Sequence, residues 1–435
     1  MQNADQNNTP RRERPVDPVA YISSFSRLGC RVSDLSRIRS LLAALGDPQN
    51  DLRFIHIAGT NGKGSIAQMF SEVLSRAGYR TGLFTSPYII SFYDRIRLNN
   101  QNVPESDLAS LLSAVSPIIE SHPLRDSFSQ FEITQAAAFV WFKQQNCDIV
   151  ILEAGLGGLL DSTNVISSPL VSVIGSIGLD HTAILGDTVE KIAFQKAGII
   201  KPGRPCVLSA GNPPEAVRVF RRQAAEKESL LNIPNLQLCR VSEAGISGSR
   251  FTYRGKEYST AMPGLHQVSN ALSVIDALRL IAEELPVSQE NIRMGIAAAR
   301  IPGRVEIISD DPLTVLDGSH NPDGMNALAG FLKGLGSRTV RAVIGMHTDK
   351  DASDAVSKLV PLVTRFYPVS GFSDRDIPAP ELADIITRAG GQAEISDKEI
   401  TALVSGLSEQ FPEDVLLICG SLYLVSYMKT AKNQQ

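Results

Sequence analysis

The stretch Phe54-Ile55-His56-Ile57-Ala58-Gly59-Thr60-Asn61-Gly62-Lys63-Gly64-Ser65 decides the fold class of this chain. Phe54 to Ala58 form an apolar run of strand length that stops at Gly59, after which Ile66, Met69, Phe70, Val73 and Leu74 recur at helical spacing as far as Gly78. A strand, a glycine-rich turn and a helix therefore follow one another. In such a turn, glycines let backbone amides point inward at phosphate oxygens, and the helix N-terminus adds a favourable dipole. Lys63 can reach outer phosphates and Ser65 can approach a metal. The loop departs from the strict phosphate-loop pattern: Ile57 stands where the first glycine belongs, and Gly64 separates the lysine from the serine. A tight βα turn with an exposed lysine is the plainer alternative.

Outward from this loop, strands are expected at Thr81–Phe84, Asp148–Glu153 and Leu170–Ile174, separated by segments long enough for crossover helices. Alternating strands and helices predict an α/β fold with a doubly wound, mostly parallel sheet. From Leu236 to Ala261 short runs around Arg254-Gly255-Lys256 predict a small antiparallel hairpin appendage, and a long helix is expected from Val268 to Leu285. Ile301-Pro302-Gly303-Arg304 breaks the rhythm, and a second, Rossmann-like βα series begins. Its strands are expected near Leu313–Asp317, Arg341–Met346, Arg365–Pro368 and Val415–Cys419. The expected organisation is a disordered polar leader over 1–15, a phosphate-loop domain over 16–300 and a C-terminal domain over 301–435.

Composition sets the limits. The 435 residues exceed the roughly 250–300 at which single cores stop growing, so two domains are expected. A net charge of −4 argues against a general nucleic-acid binder, and no apolar stretch approaches the ~20 residues that span a bilayer. Cys30, Cys147, Cys206, Cys239 and Cys419 lie far apart without a CxxC pair, which suits packing residues in a reducing cytoplasm.

Other polar residues sit where open α/β sheets bind ligands, at the C-terminal ends of successive strands. Ser86 follows one strand, Glu153 ends another, and Asp180-His181 follow a third. A glutamate closing the apolar run Ile149 to Leu152 is costly to bury unless paired or metal-bound, so Glu153 reads as a Mg²⁺ ligand or as one half of an ion pair. His181 could be a ligand or a hydrogen-bonded structural histidine. Asp317 and His320, three apart after a later strand, could orient a ribose or a reacting carboxylate, or could belong to a helix cap with Asn321-Pro322. Arg304 can bridge the domains to a phosphate or stand as a surface arginine. Lys196 near a helix end is unremarkable by itself. These residues alone imply an ATP- or GTP-dependent enzyme or a nucleotide switch.

Taken together, the motifs resemble the folate branch of the Mur-type ATP-dependent amide ligases, the folylpolyglutamate and dihydrofolate synthases. The matching stretches are Gly59 to Ser65, Thr85-Ser86-Pro87, Phe131-Glu132 with Thr134, Glu153 to Gly158 with Asp161 to Asn164, and Leu179-Asp180-His181. Lys196 to Ile199, His266-Gln267 with Asn270, Pro302-Gly303-Arg304 and Asp317 to Pro322 match as well. The resemblance implies that Gly59, Thr60, Asn61, Gly62, Lys63, Gly64 and Ser65 hold the ATP phosphates, completed by Asn270, Arg304 and Asp317. It implies magnesium on Ser86, Glu153 and His181, and a carbamylated Lys196 at a second magnesium. Ser129, Gln130, Phe131, Glu132, Leu160, Asp161 and Ser162 match segments lining a pterin site, and His320 lies where incoming L-glutamate is handled. The implied substrates are ATP, L-glutamate and a reduced folate or dihydropteroate. A monomer is implied.

Two departures bear on the acceptor. Many bifunctional members carry histidine after Thr-Ser-Pro and arginine after Gly-Gly, whereas this chain has Tyr88 and Leu159. Loss of that arginine removes an anion-binding group near the pterin site, which favours polyglutamylation over ligation of dihydropteroate. Gln195 stands beside Lys196 where an acidic residue is common.

Overall fold

The strand that precedes the glycine loop is central to the larger of the two mainly parallel sheets. In the computed structural model, which describes residues 17–27 and 33–432, that sheet contains Phe54–Ala58 (β1), Thr81–Phe84 (β2), Ile96–Leu98 (β3), Gln101–Asn102 (β4), Ile149–Glu153 (β5), Val171–Ile174 (β6), Cys206–Leu208 (β7) and Leu231–Asn232 (β8). The strand order is β4-β3-β2-β5-β1-β6-β7-β8, parallel except at the β3 and β4 edge. From β1 the chain first goes to β2 on one side and later enters β6 on the other, so the loop after β1 opens where the winding reverses.

Both faces of β1 and β5 are covered, which explains why their runs are almost wholly apolar. Ile55, Ile57, Ile149 and Ile151 pack under the helices Lys63–Arg76 and Leu265–Leu280, while Phe54, Val150 and Leu152 face the helix Gln130–Gln144. Truncating a residue such as Ile151 to alanine would cost about 2–5 kcal/mol. His56 is the polar exception in β1. It is fully buried, bonds Thr163 Oγ1 through Nε2 at 2.9 Å, and burial pushes its pKa down to about 3.

Strands Cys239–Gly245 (β9), Gly248–Tyr253 (β10) and Lys256–Thr260 (β11) form the antiparallel appendage. It has three strands rather than the two of a hairpin, because β9 also pairs with β10 through the tight turn before Gly248. The expected long helix ends earlier, at Leu280, and a separate helix, Gln289–Ala298, packs against Lys63–Arg76. The second sheet holds Glu306–Asp310 (β12), Leu313–Leu316 (β13), Val340–Ile344 (β14), Arg365–Pro368 (β15) and Val415–Cys419 (β16) in the order β12-β13-β16-β14-β15. Its antiparallel edge strand β12 escaped the sequence reading. Cys147, Cys206 and Cys419 are buried free thiols and Cys239 is half-buried; the expected leader over 1–15 and Cys30 lie outside the described residues. No described helix is long and apolar enough to cross a membrane.

Candidate active site

The turn after β1 is built to leave amides open. Gly62 has φ +85°, and a Cβ there would approach Asn270 Oδ1 to 2.7 Å, so only glycine fits. The helix it starts, Lys63–Arg76, has no side-chain cap, which leaves its first N–H groups free for an anion. Thr60 N–H and Asn61 N–H donate to Ser176 O at 2.7 and 3.3 Å, pinning the loop to the end of β6. Lys63 Nζ folds back to Gly59 O at 3.0 Å and Thr60 O at 3.2 Å. Burial lowers its pKa, against the pull of Glu153 and Asp180.

Around this loop lies a cleft of about 520 Å³ whose walls come from both sheets. Gly59 to Ser65, Ser86, Glu153, His181, Lys196, Asn270, Arg304, Asp317 and His320 all line it, so the phosphate, metal and reacting-group sets expected from the sequence come together. Glu153 is 4% exposed and burial raises its carboxyl to about 7, opposed by Lys63 and by the Ser86 N–H at 3.3 Å. Lys196 is equally buried, donates to Gly59 O at 2.9 Å, and is pushed down to about 7 by burial and by the charge of Lys63. Among the described residues, no three or more His, Cys, Asp or Glu side chains converge as a metal cage.

Asp180, which the sequence marks at its strand end without assigning it a role, is a charged hub of the site. It accepts from Lys350 Nζ at 2.7 Å and Asn321 Nδ2 at 3.1 Å, with His181 Nε2 and His320 Nε2 each at 3.9 Å. Burial works against its carboxylate, yet Lys350 and the two histidines more than offset this and hold it well below the usual range. Lys350 was absent from the sequence-derived set. Its place in Thr348-Asp349-Lys350 just after β14, the counterpart of Lys63 after β1, is the signal that could have found it. His320 Nδ1 lies 2.8 Å from Gly318 O, an acceptor only, so Nδ1 carries the proton and Nε2 keeps its lone pair. Burial, then Lys350, lower this ring to about 4, so it is neutral at pH 7.

Asp317 is 2% exposed, and its two carboxylate oxygens accept from Val305 N–H and Ser319 N–H, each at 2.8 Å. Gly318 N–H also donates to Gly303 O at 2.8 Å, so the segment around Arg304 is fastened to the end of β13. Arg304 acts electrostatically on Lys63, Glu153 and His320.

The segments expected at a pterin site lie beside this cleft rather than lining it. Ser129 and Glu132 form a reciprocal cap at the start of Gln130–Gln144, and Glu132 also pairs with Arg37 at 2.8 Å. Gln130 Nε2 reaches Phe25 O at 2.9 Å. Ser162 bonds Gln135, and Asp161 accepts from Leu156 N–H at 2.7 Å and from Thr163. These polar atoms hold the wall in place. Phe131 sits under Gly155, where a Cβ would meet its ring at 2.8 Å, and Leu160 is exposed, which leaves apolar surface beside the cleft.

Comparison with known proteins agrees with this geometry. Residues 57–278 match the Mur ligase middle domain and residues 303–422 the Mur ligase glutamate ligase domain. The chain is 36% identical to the folylpolyglutamate synthase of Lacticaseibacillus casei, over 95% of this chain and 97% of that one. It is 35% identical to the dihydrofolate synthase/folylpolyglutamate synthase of Bacillus subtilis, over 94% and 97%. The structure of E. coli FolC in complex with DHPP and ADP superimposes with a TM-score of 0.84 at 30% identity, covering 96% of this chain and 98% of that one. The phosphate loop, the strand-end carboxylates and these likenesses lead to one conclusion: the chain belongs to the folylpolyglutamate synthase/dihydrofolate synthase family of Mur ligases and is an ATP-dependent ligase.

Proposed function

We propose that this ligase adds L-glutamate to the γ-carboxyl of a reduced folate or its polyglutamate. Dihydropteroate ligation would be the lesser activity. The observation that carries the preference is Leu159, an aliphatic side chain where many bifunctional members place arginine, supported by Tyr88 after Thr85-Ser86-Pro87. Purified protein given ATP and glutamate with either tetrahydrofolate or dihydropteroate tests it. Product from dihydropteroate alone would overturn the preference.

The chemistry follows from the leaving group. A carboxylate cannot be attacked by an amine at useful rate, because oxide would have to leave. A carboxylate oxygen of the acceptor therefore attacks the γ-phosphorus of ATP, the bond to the bridging oxygen breaks, and ADP departs from an acyl phosphate. The glutamate amine then attacks the carbonyl carbon, and collapse of the tetrahedral adduct expels phosphate. In this reading the amides of Gly59 to Ser65, with Lys63 and Arg304, hold and neutralise the phosphates, and Asn270 and Asp317 complete the nucleotide site. In this reading His320, its Nδ1 held by Gly318 O, meets the incoming glutamate with its unprotonated Nε2. Residues 301–435 act as the domain that shuts water away from the acyl phosphate.

Magnesium fits the donor set: Glu153 is a buried carboxylate with few partners, and Ser86, whose N–H donates to it, carries a hydroxyl. Glu153, Ser86 and His181 would hold the ion, which when bound offsets negative charge on the transferring phosphoryl group. Lys196, whose ammonium is pushed down to about 7 by burial and by Lys63, can add CO₂ as the amine: its nitrogen bonds the carbon, a proton leaves, and the side chain ends as an anion. We take the working unit to be a monomer, as the family resemblance implies. The free thiols suit a cytoplasmic enzyme.

A further inference from the structure

Among the described residues, Arg95 is a cation without an anion. It ends the short turn Phe92–Arg95 that follows Thr85-Ser86-Pro87, and its guanidinium carbon lies 5.2 Å from the Tyr88 ring centroid and 5.4 Å from that of Phe92. Its Nε is buried and makes no hydrogen bond. Besides burial, the groups acting on its charge are Tyr88, Tyr423 and Arg27, none of them a carboxylate. Tyr423 comes from the helix Leu422–Lys432 of the second sheet, and Arg375 reaches its hydroxyl at 3.5 Å. Among the described residues, Arg27 pairs with the exposed Asp374, at 3.9 Å.

A half-buried guanidinium whose Nε is closed off from water and has no counter-charge is costly to keep. The expense makes sense where a substrate supplies the anion. Both walls of this pocket run into the cleft, since Pro87 and Leu422 line it and are followed directly by Tyr88 and Tyr423. A γ-glutamyl acceptor whose terminal γ-carboxyl reacts beside Glu153 and Lys63 carries a second carboxylate, the α-carboxylate, within a few bonds. Dihydropteroate carries none besides the one that reacts. Planar carboxylates are what an arginine fork and tyrosine hydroxyls bind best.

We propose that Arg95, with Tyr88, Tyr423 and Arg375, forms a subsite for the α-carboxylates of a γ-glutamyl chain. The subsite rests on the polyglutamylation reading above, and it makes Arg95 a specificity determinant.

The test is equilibrium binding of p-aminobenzoyl-γ-triglutamate to the full chain in the presence of ADP, for wild type, R95Q and R95K. The subsite predicts that R95Q weakens the triglutamate by about tenfold or more, the loss of one charge-assisted pair, while keeping its ADP affinity. R95K, with the charge but not the fork, should recover part of the loss. In turnover, the R95Q defect should fall on KM for tetrahydrofolate rather than on kcat. Equal triglutamate affinity in wild type and R95Q, or no binding by wild type, overturns the subsite. Wild-type protein that binds the triglutamate through Arg95 yet ligates only dihydropteroate would instead sink the polyglutamylation reading and leave the subsite standing.

Discussion

Lys63 and Lys196 donate to the same carbonyl oxygen, that of Gly59, at 3.0 and 2.9 Å. Two ammonium groups on one acceptor repel, and the more enclosed one yields, so Lys196 is held near 7 by burial and by Lys63. A lysine in that state is an amine nucleophile at neutral pH. Activity should therefore fall in CO₂-free buffer and return with bicarbonate, and the requirement should sharpen below pH 7 as the amine takes up its proton. Labelled CO₂ should give a carbamate carbon signal in NMR that K196A lacks. K196A should lose ~100-fold or more in kcat, with partial rescue by a small carboxylate such as acetate; full activity in CO₂-free buffer would remove the modification.

Glu153 is ionised at a cost. Its folded pKa, about 7, is above its ordinary 4.5, so the folded state holds its proton more tightly than the unfolded one. The penalty is absent below pH 4.5, grows between 4.5 and 7, and is full above 7, on the order of 3 kcal/mol. Thermal melts of E153Q should lack that loss of stability with rising pH. Turnover of E153Q, E153A and H181A should nevertheless be abolished at ordinary Mg²⁺, and activity retained at saturating Mg²⁺ would take these residues out of the metal site.

The Asp180–Lys350 pair joins the two sheets with side chains only 10% exposed. Removing one partner of such a pair strands a buried charge, so K350M should lower stability by about 3–5 kcal/mol, and D180N/K350M should recover part of it, read from urea midpoints. Loss of the Lys350 charge also relieves His320, whose pKa should rise. Protonation would then begin at higher pH, shifting the acidic limb of the rate profile upward.

Restoring a cation near the pterin wall offers a gain-of-function test. L159R should raise kcat/KM for dihydropteroate by about tenfold relative to wild type, the scale of one arginine–anion contact, with a smaller change for tetrahydrofolate. No change in the ratio would show that Leu159 does not set acceptor choice.

Local sequence pattern carried the strands that bear the site. β1, β5 and β6 are buried on both faces and read as mostly apolar runs, interrupted only by His56 in β1 and Ser172 in β6, and each leads to polar residues at the strand end, where chain direction alone predicts a ligand. Edge strands such as β4, with two residues, and β12, which is only partly buried, have no pattern to read and exist because a neighbour pairs with them. The Asp180–Lys350 contact spans two sheets, and nothing local announces it. Ser129, Glu132, Asp161 and Ser162 were placed at a pterin wall by resemblance; their caps and cross-links depend on a tertiary arrangement that one-dimensional spacing does not contain.

The double clasp around Arg304 has a mechanical result. Gly303 and Val305 are both tied to the end of β13, so Arg304 rides with the second sheet although it points charge into the cleft of the first. Any opening must bend the chain before Gly303 and carry Arg304 away from Lys63 and Glu153. Were the cleft to open and shut in the proposed ligase cycle, shutting would reach the phosphates as the arrival of a positive charge.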